Sequence, residues 1–205
     1  MQLPRRPAGR DVSDAAGEYL DPVPEAVAVR PRRRSDEDAC VALLRRVHEH
    51  DRYPLIWPAD PGGWLYRSAQ PAAWVAERDG AVCGHVALAR PHLGEAATGW
   101  ADYLGIPVSD LLCVSLLFVG PQARGGGVGG SLLDTALDEI RAMGAAPVLE
   151  VVSLNGHAIA LYEARGWRQI GSIRYDWLPE QAQCLLYIGP AVQPDPMRSR
   201  RAQRR

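Results

Sequence analysis

The nearly unbroken apolar run Leu111 to Val119 empties into Gly120-Pro121-Gln122-Ala123-Arg124-Gly125-Gly126-Gly127-Val128-Gly129-Gly130, after which a helical pattern opens. From about Val128 to Met143 the apolar residues Val128, Leu132, Leu133, Ala136, Leu137 and Ile140 keep one face, and Pro147 to Val152 is again a buried-type strand. A strand, glycines, a helix and a second strand make a right-handed crossover with the two strands parallel in one sheet. The turn between them is physically an anion site. Residues without Cβ let several backbone N–H groups approach one phosphate, and the helix dipole adds about half a positive charge there.

The rest of the chain surrounds this unit with antiparallel structure. Ala26 to Arg30 is a short strand-compatible run; Ser35-Asp36-Glu37-Asp38 then predicts a helix start with Ser35 as N-cap. The helix buries Cys40, Leu43, Leu44 and Val47 and ends before Pro54. Ala73–Arg78 and Ala81–Leu88 flank Asp79-Gly80, a strong hairpin signal. Asn155 caps a short helix that Gly166 ends, and strand-like runs Trp167 to Tyr175 and Cys184 to Ile188 follow. The expected fold is α+β or mixed α/β: a central mixed sheet of about six or seven strands flanked by helices. We expect a leader at 1–24, one domain over 25–190 and an arginine-rich disordered tail over 191–205.

Composition excludes several classes. With 23 basic against 24 acidic residues, 47% apolar and 23% charged, the 205-residue chain has the profile of a single water-soluble domain. No apolar run reaches the ~18 residues of a membrane span. All the basic residues are arginine, so Schiff-base chemistry and the lysine-dependent phosphate loop are out of reach. Cys40, Cys83, Cys113 and Cys184 are too scattered for a zinc site and suit a cytoplasmic protein with reduced thiols. None of His48, His50, His85, His92 and His157 has metal-pair spacing, so no metal is expected; only His157, at a helix start, is placed to approach a ligand. The tail carries five arginines among residues 198–205, but near-zero net charge and the lack of a basic stripe argue against nucleic acid.

Three accounts of the glycine turn compete. A dinucleotide fingerprint can be laid on Gly125, Gly127 and Gly130 with Glu150 as ribose acid, yet five residues separate the strand from its glycines and an antiparallel hairpin precedes it. A ligand-free loop is disfavoured because glycines at a helix start cost roughly 1 kcal/mol each relative to alanine. In the third, Val119-Gly120-Pro121 with Arg124-x-x-Gly127-x-Gly129 resembles the acyl-CoA pyrophosphate motif of the GNAT acetyltransferase superfamily. Leu149-Glu150-Val151, Asn155, Ala158-Ile159-Ala160-Leu161-Tyr162-Glu163 and Gly166-Trp167 resemble that family's second conserved segment.

The resemblance implies an acetyl-CoA-dependent N-acetyltransferase acting on a primary amine of a small molecule or of a peptide or protein N-terminus. It implies that the backbone of Phe118 and Val119 pairs with the pantetheine arm, that the amides of Arg124, Gly125, Gly126, Gly127, Val128 and Gly129 hold the diphosphate, and that Asn155 bonds the arm. Gly126 and Gly130 depart from the family pattern, and weaker CoA affinity is expected from them. Tyr162 is implied as the acid for the leaving thiolate: a thiol near 8.5 and a phenol near 10 make that transfer feasible. Glu150, twelve residues earlier, resembles the base of bacterial ribosomal-protein N-terminal acetyltransferases, with Leu149, Val151 and Val152 expected to desolvate it and raise its pKa. A water relay is the alternative base. The Arg52–Ala69 stretch reads as an ordered loop whose aromatics Tyr53, Trp57 and Trp64 either line an acceptor cleft or staple the loop to the core, and Tyr66 belongs with them. A homodimer is permitted, and a CoA-binding module without catalysis is the alternative to an enzyme.

Overall fold

A computed structural model describes residues 27–67 and 70–190, so the expected leader and tail lie outside the described residues. The strands are β1 (Ala28–Pro31), β2 (Ala73–Arg78), β3 (Ala81–Ala89), β4 (Leu111–Val119), β5 (Ala146–Val152), β6 (Arg168–Ile173) and β7 (Cys184–Ile188). The helices are α1 (Glu37–Asp51), α2 (Pro61–Leu65), α3 (Glu95–Leu104), α4 (Val128–Ala142) and α5 (Gly156–Ala164). All seven strands join one mixed sheet in the order β1-β2-β3-β4-β5-β7-β6. The β4–β5 pair, joined through α4, is parallel and the other pairings are antiparallel. That order rules out the doubly wound parallel sheet that a dinucleotide fingerprint requires.

The elements follow from local chemistry. Asp79 and Gly80 both adopt positive φ (52° and 72°), as a tight two-residue hairpin turn demands. Helix α4 covers one face of the sheet with Leu132, Leu133, Ala136 and Ile140, packed among Ala76, Val86, Leu88 and Leu149. On the opposite face α1 lays Cys40, Leu43, Leu44 and Val47 against Val75, Ala87, Leu116 and Phe118. Farther along that face, α3 packs Trp100 among Leu111, Val148 and Leu186. These alternations along each strand are the period-2 signature of a sheet buried on both faces.

Three local expectations need correction. Ser35 is not an N-cap: Arg34–Asp36 form a single 3-10 turn, and the Asp36 carboxylate accepts the Arg33 backbone N–H at 2.6 Å. Asp36 is preferred because Arg30 grips the same carboxylate at 2.8 and 2.9 Å. The stretch 52–69 is not loop throughout, since Asp60 caps α2 by accepting the Gly63 N–H at 2.9 Å, with Pro61 at the first helical position. Helix α3 was not foreseen. Its apolar face is two alanines and Trp100, and Gly99 interrupts it where Leu186 approaches to within 3.4 Å of a would-be Cβ.

Candidate functional site

The site begins with a defect in β4. Between Ala87↔Ser115 and His85↔Phe118 the β3–β4 ladder shifts register, giving β4 one extra residue, and Leu116 takes φ 53°. The insertion reverses the alternation: Leu112 and Val114 face α4, whereas Leu116 and Phe118 face α1. A bulged strand bends, and β4 leaves its parallel partner. The two pair at Leu111↔Ala146, Leu112↔Pro147 and Cys113↔Val148, and no farther. Beyond that point the β4 edge offers unpaired N–H and C=O groups to whatever enters the gap.

His85, fully buried, holds the bulge. Its Nε2 lies 3.0 Å from Arg32 Nη1, and its Nδ1 lies 2.8 Å from the Leu116 carbonyl. A guanidinium only donates, so Nε2 accepts and Nδ1 carries the proton given to Leu116. The ring stacks on Phe118 at 5.0 Å. Burial, helped by the Arg32 charge, holds the imidazole neutral and moves its pKa down to about 4.

Between the parted strands lies a cleft of about 930 Å³. One end is the glycine loop. Gly125 and Gly127 have φ 77° and 79°, the left-handed region in which a side chain is strained, and Gly127 starts α4 with no side-chain cap. The first-turn amides of α4 are therefore open to an anion. Gly129 packs tightly, with a Cβ there 3.3 Å from Leu161. At Gly130 a Cβ would strike Arg165, which crosses that position to pair with Asp134 at 3.1 Å. Arg124 is tied to Asp51 (Nη1–Oδ1 3.0 Å) and to the Val119 carbonyl at 3.2 Å. Hydrogen bonding from Arg124, helped by its charge, holds the Asp51 carboxyl down at about 2.

The structure brings most of the expected residues together. Phe118, Val119, Arg124, Gly125, Gly127, Val128 and Gly129 line the cleft, as do Asn155, Tyr162, Glu150, Tyr53 and Trp64. Gly126 does not; its Cα faces Arg78, whose guanidinium would lie 3.0 Å from a Cβ. Nor does Trp57, which packs on His48 (5.1 Å) beneath Arg45 and so serves the loop-stapling role. Tyr66 likewise lies under Arg32, at 3.7 Å. Asn155 spends Oδ1 on capping α5 (Ala158 N–H, 3.2 Å), leaving its amide NH₂ for a ligand.

Tyr162 is 7% exposed, its ring between Trp167 (5.9 Å) and Tyr187 (6.4 Å). Burial raises its pKa above the ordinary phenol value, and the hydroxyl takes no protein hydrogen bond among the described residues. Glu150 departs from expectation. It is exposed, because Leu149 and Val151 point to the α4 face while its carboxylate points to the other, so these neighbours do not desolvate it. Tyr175, which the sequence did not single out, donates its hydroxyl to Glu150 Oε2 at 2.8 Å. Cys113 and Cys184 flank the same carboxylate; burial and its charge push both thiols up to about 12, which leaves them unreactive. Strand alternation, read strictly, would have exposed Glu150 and set Cys113 beside Leu111; nothing marks Tyr175, which stands in a loop.

Among the described residues no three His, Cys, Asp or Glu side chains gather as a metal site, and no helix is long and apolar enough to cross a membrane.

Bulged β4, parted strands and an uncapped helix behind glycines form a site suited to an extended ligand that ends in an anion. The acetyltransferase (GNAT) family model matches residues 39–167, and the chain belongs to that family. Comparison with curated proteins gives no match. Among solved structures the fold resembles an N-acetyltransferase from Staphylococcus aureus Mu50 (17% identity, 80% of this chain and 98% of that one, TM-score 0.62). It also resembles the ribosomal-protein-S18-alanine N-acetyltransferase from Escherichia coli (18%, 83% and 99%, TM-score 0.59). A third is a ribosomal-protein-alanine N-acetyltransferase from Brucella melitensis (22%, 80% and 99%, TM-score 0.62). At these identities the likeness is one of fold.

Proposed function

We propose that this chain is an acetyl-CoA-dependent N-acetyltransferase that delivers the acetyl group directly to a primary amine, without a covalent enzyme intermediate. The observation that carries it is the parting of β4 from β5 after Cys113↔Val148, beside the uncapped start of α4. An extended pantetheine arm fits the vacated strand edge at Phe118 and Val119, with Asn155 donating to it from α5. The amides from Arg124 to Gly129 then suit the diphosphate. With Asp51 and Asp134 offsetting Arg124 and Arg165, this end relies on backbone dipoles more than on net side-chain charge. Arg78 stands at the position where Gly126 lacks a side chain.

At the other end the amine nitrogen attacks the thioester carbonyl carbon, the C–S bond breaks, and the nitrogen's proton leaves through Glu150 or a water it holds. Glu150 is open to the cleft, as a proton acceptor must be. Tyr162, which lines the same cleft, suits a place beside the departing sulfur. A phenol above 10 cannot favourably give its proton to a thiolate near 8.5, the deficit being at least about 2 kcal/mol. Tyr162 therefore acts as a hydrogen-bond donor that stabilises the sulfur charge, and proton delivery follows from solvent.

The test has two parts. Melting with acetyl-CoA, CoA and NAD should show stabilisation by the first two alone. Thiol release from acetyl-CoA over a panel of amines and peptides should then identify turnover. Stabilisation by CoA with no release on any acceptor would leave a binding module, and no stabilisation by either would remove the reading.

A further inference from the structure

Four arginines line the cleft, and they divide into two kinds. Arg124 and Arg165, beside the glycine loop, are each neutralised by an aspartate. Arg52 and Arg67 come from the segment between α1 and β2, and among the described residues neither pairs with a carboxylate. Arg67 is nevertheless held. Its Nε donates to the Trp64 carbonyl at 3.0 Å, and its guanidinium stands 5.2 Å from the Trp64 ring centroid. Those contacts use one edge of the guanidinium and leave the Nη1–Nη2 edge for another partner. Trp64 in turn meets Tyr53 edge-on at 6.5 Å, and Tyr53 packs on Phe118 at 6.3 Å, so Arg67 stands on the cleft wall beside the bulged part of β4. The β5 wall of the same cleft presents the exposed Glu150 carboxylate, oriented by Tyr175.

The cleft thus offers a carboxylate on one wall and, on another, a guanidinium held by Trp64. A molecule that is only a cation satisfies the first and wastes the second. A dipolar molecule satisfies both. Resting on the acetyl-transfer reading above, we propose that the acceptor is an amine bearing a carboxylate a few bonds from its nitrogen, and that Arg67 selects it by binding that carboxylate. A planar guanidinium edge matches the two oxygens of a carboxylate in a way that a lysine ammonium does not. A free amino acid and a peptide with an acidic first residue share this chemistry.

The experiment measures initial rates of thiol release for matched acceptors, using full-length enzyme. Phenylalanine is compared with phenylalanine amide and phenethylamine, and an Asp-initiated tetrapeptide amide with its Asn-initiated counterpart. Wild type should favour the carboxylate-bearing member of at least one set by tenfold or more in kcat/KM, and the set in which this occurs tells amino acid from peptide. Arg67→Met should erase the preference while leaving the acetyl-CoA KM unchanged, and Arg67→Lys should keep part of it. If Arg67→Met fails to fold, as judged by melting, Arg67→Lys carries the test: it should lower the preference severalfold. Equal use of charged and neutral acceptors, a preference that survives both variants, or an effect confined to the acetyl-CoA KM would each overturn the proposal while leaving acetyl transfer intact. Absence of turnover with every acceptor, in enzyme that acetyl-CoA still stabilises, would overturn acetyl transfer and this inference with it.

Discussion

Replacing Tyr162 with phenylalanine isolates one oxygen atom. The ring keeps its packing on Trp167 and Tyr187, so the core loses almost nothing. The hydroxyl has no protein hydrogen bond among the described residues, so its removal strands no buried partner. The melting temperature should therefore move by less than about 2 °C. The sulfur leaving the thioester, by contrast, gains negative charge as the C–S bond breaks. A hydrogen bond to a charged group is worth about 1.5–3 kcal/mol, which corresponds to a fall in kcat of roughly tenfold to a hundredfold. Because the charge exists only in the transition state, the acetyl-CoA KM should stay within about twofold. Steady-state thiol release with saturating acceptor measures both quantities. An unchanged kcat would refute the donor role, and a raised KM at constant kcat would recast Tyr162 as part of the binding surface.

Other expectations concern the frame that shapes the cleft. His85 has a folded pKa of about 4 against 6.5 free, so the unfolded chain binds the proton first and stability falls as pH drops from 6.5 to 4, by up to about 3 kcal/mol. Urea midpoints across that window should slope in wild type and flatten in His85→Gln; equal slopes would remove the buried neutral imidazole. Asp36, held down at about 2 by Arg30, contributes stability that is present above pH 4 and lost as pH falls from 4 to 2, about 2 kcal/mol at most. Asp36→Asn should forfeit that amount at pH 7 in denaturant unfolding, and no loss would show the pair to be inert. A Cβ on Gly84 would lie 2.8 Å from Leu132 and 3.1 Å from Val128, so Gly84→Ala should cost about 1–3 kcal/mol by thermal unfolding. A neutral result would mean that α4 sits farther from β3.

What the sequence disclosed follows from which forces leave a one-dimensional trace. The hairpin at Asp79-Gly80, the β4–loop–α4 passage and the Asn155 cap are local, and each residue type there is dictated by its own backbone geometry. The strand range Leu111–Val119 and the α4 face were legible for the same reason. The bulge was not, because Leu116, Leu117, Phe118 and Val119 are all apolar and an inverted alternation of apolar residues reads the same as a regular one. Glu150 was legible as an acid in the right strand, but its exposure was not, because in a strand the chain neighbours Leu149 and Val151 lie on the opposite face. Trp57 and Tyr53 share a composition and a loop; only the packing of α1 decides that one meets His48 and the other the cleft. Tyr175 and Arg67 act through partners 25 and three residues away, and no motif marks either.

The cleft's opposing walls turn out to share a single cation. Arg32 donates to the Leu65 carbonyl at 2.7 Å and to Gln70 at 2.9 Å, lies over the Tyr66 ring, and places Nη1 against His85. His85 passes that constraint to the Leu116 carbonyl, the residue whose positive φ bends β4. The helix that carries Trp64 and the bulge that parts β4 from β5 are therefore fixed relative to each other by one half-buried guanidinium. Desolvation lowers the pKa of Arg32, and that cost is offset because both Nη atoms meet acceptors and the guanidinium lies over the Tyr66 ring. An apolar residue there would leave the Leu65 carbonyl and the buried His85 Nε2 unpaired together, so the acceptor wall and the strand edge should loosen as a unit rather than separately.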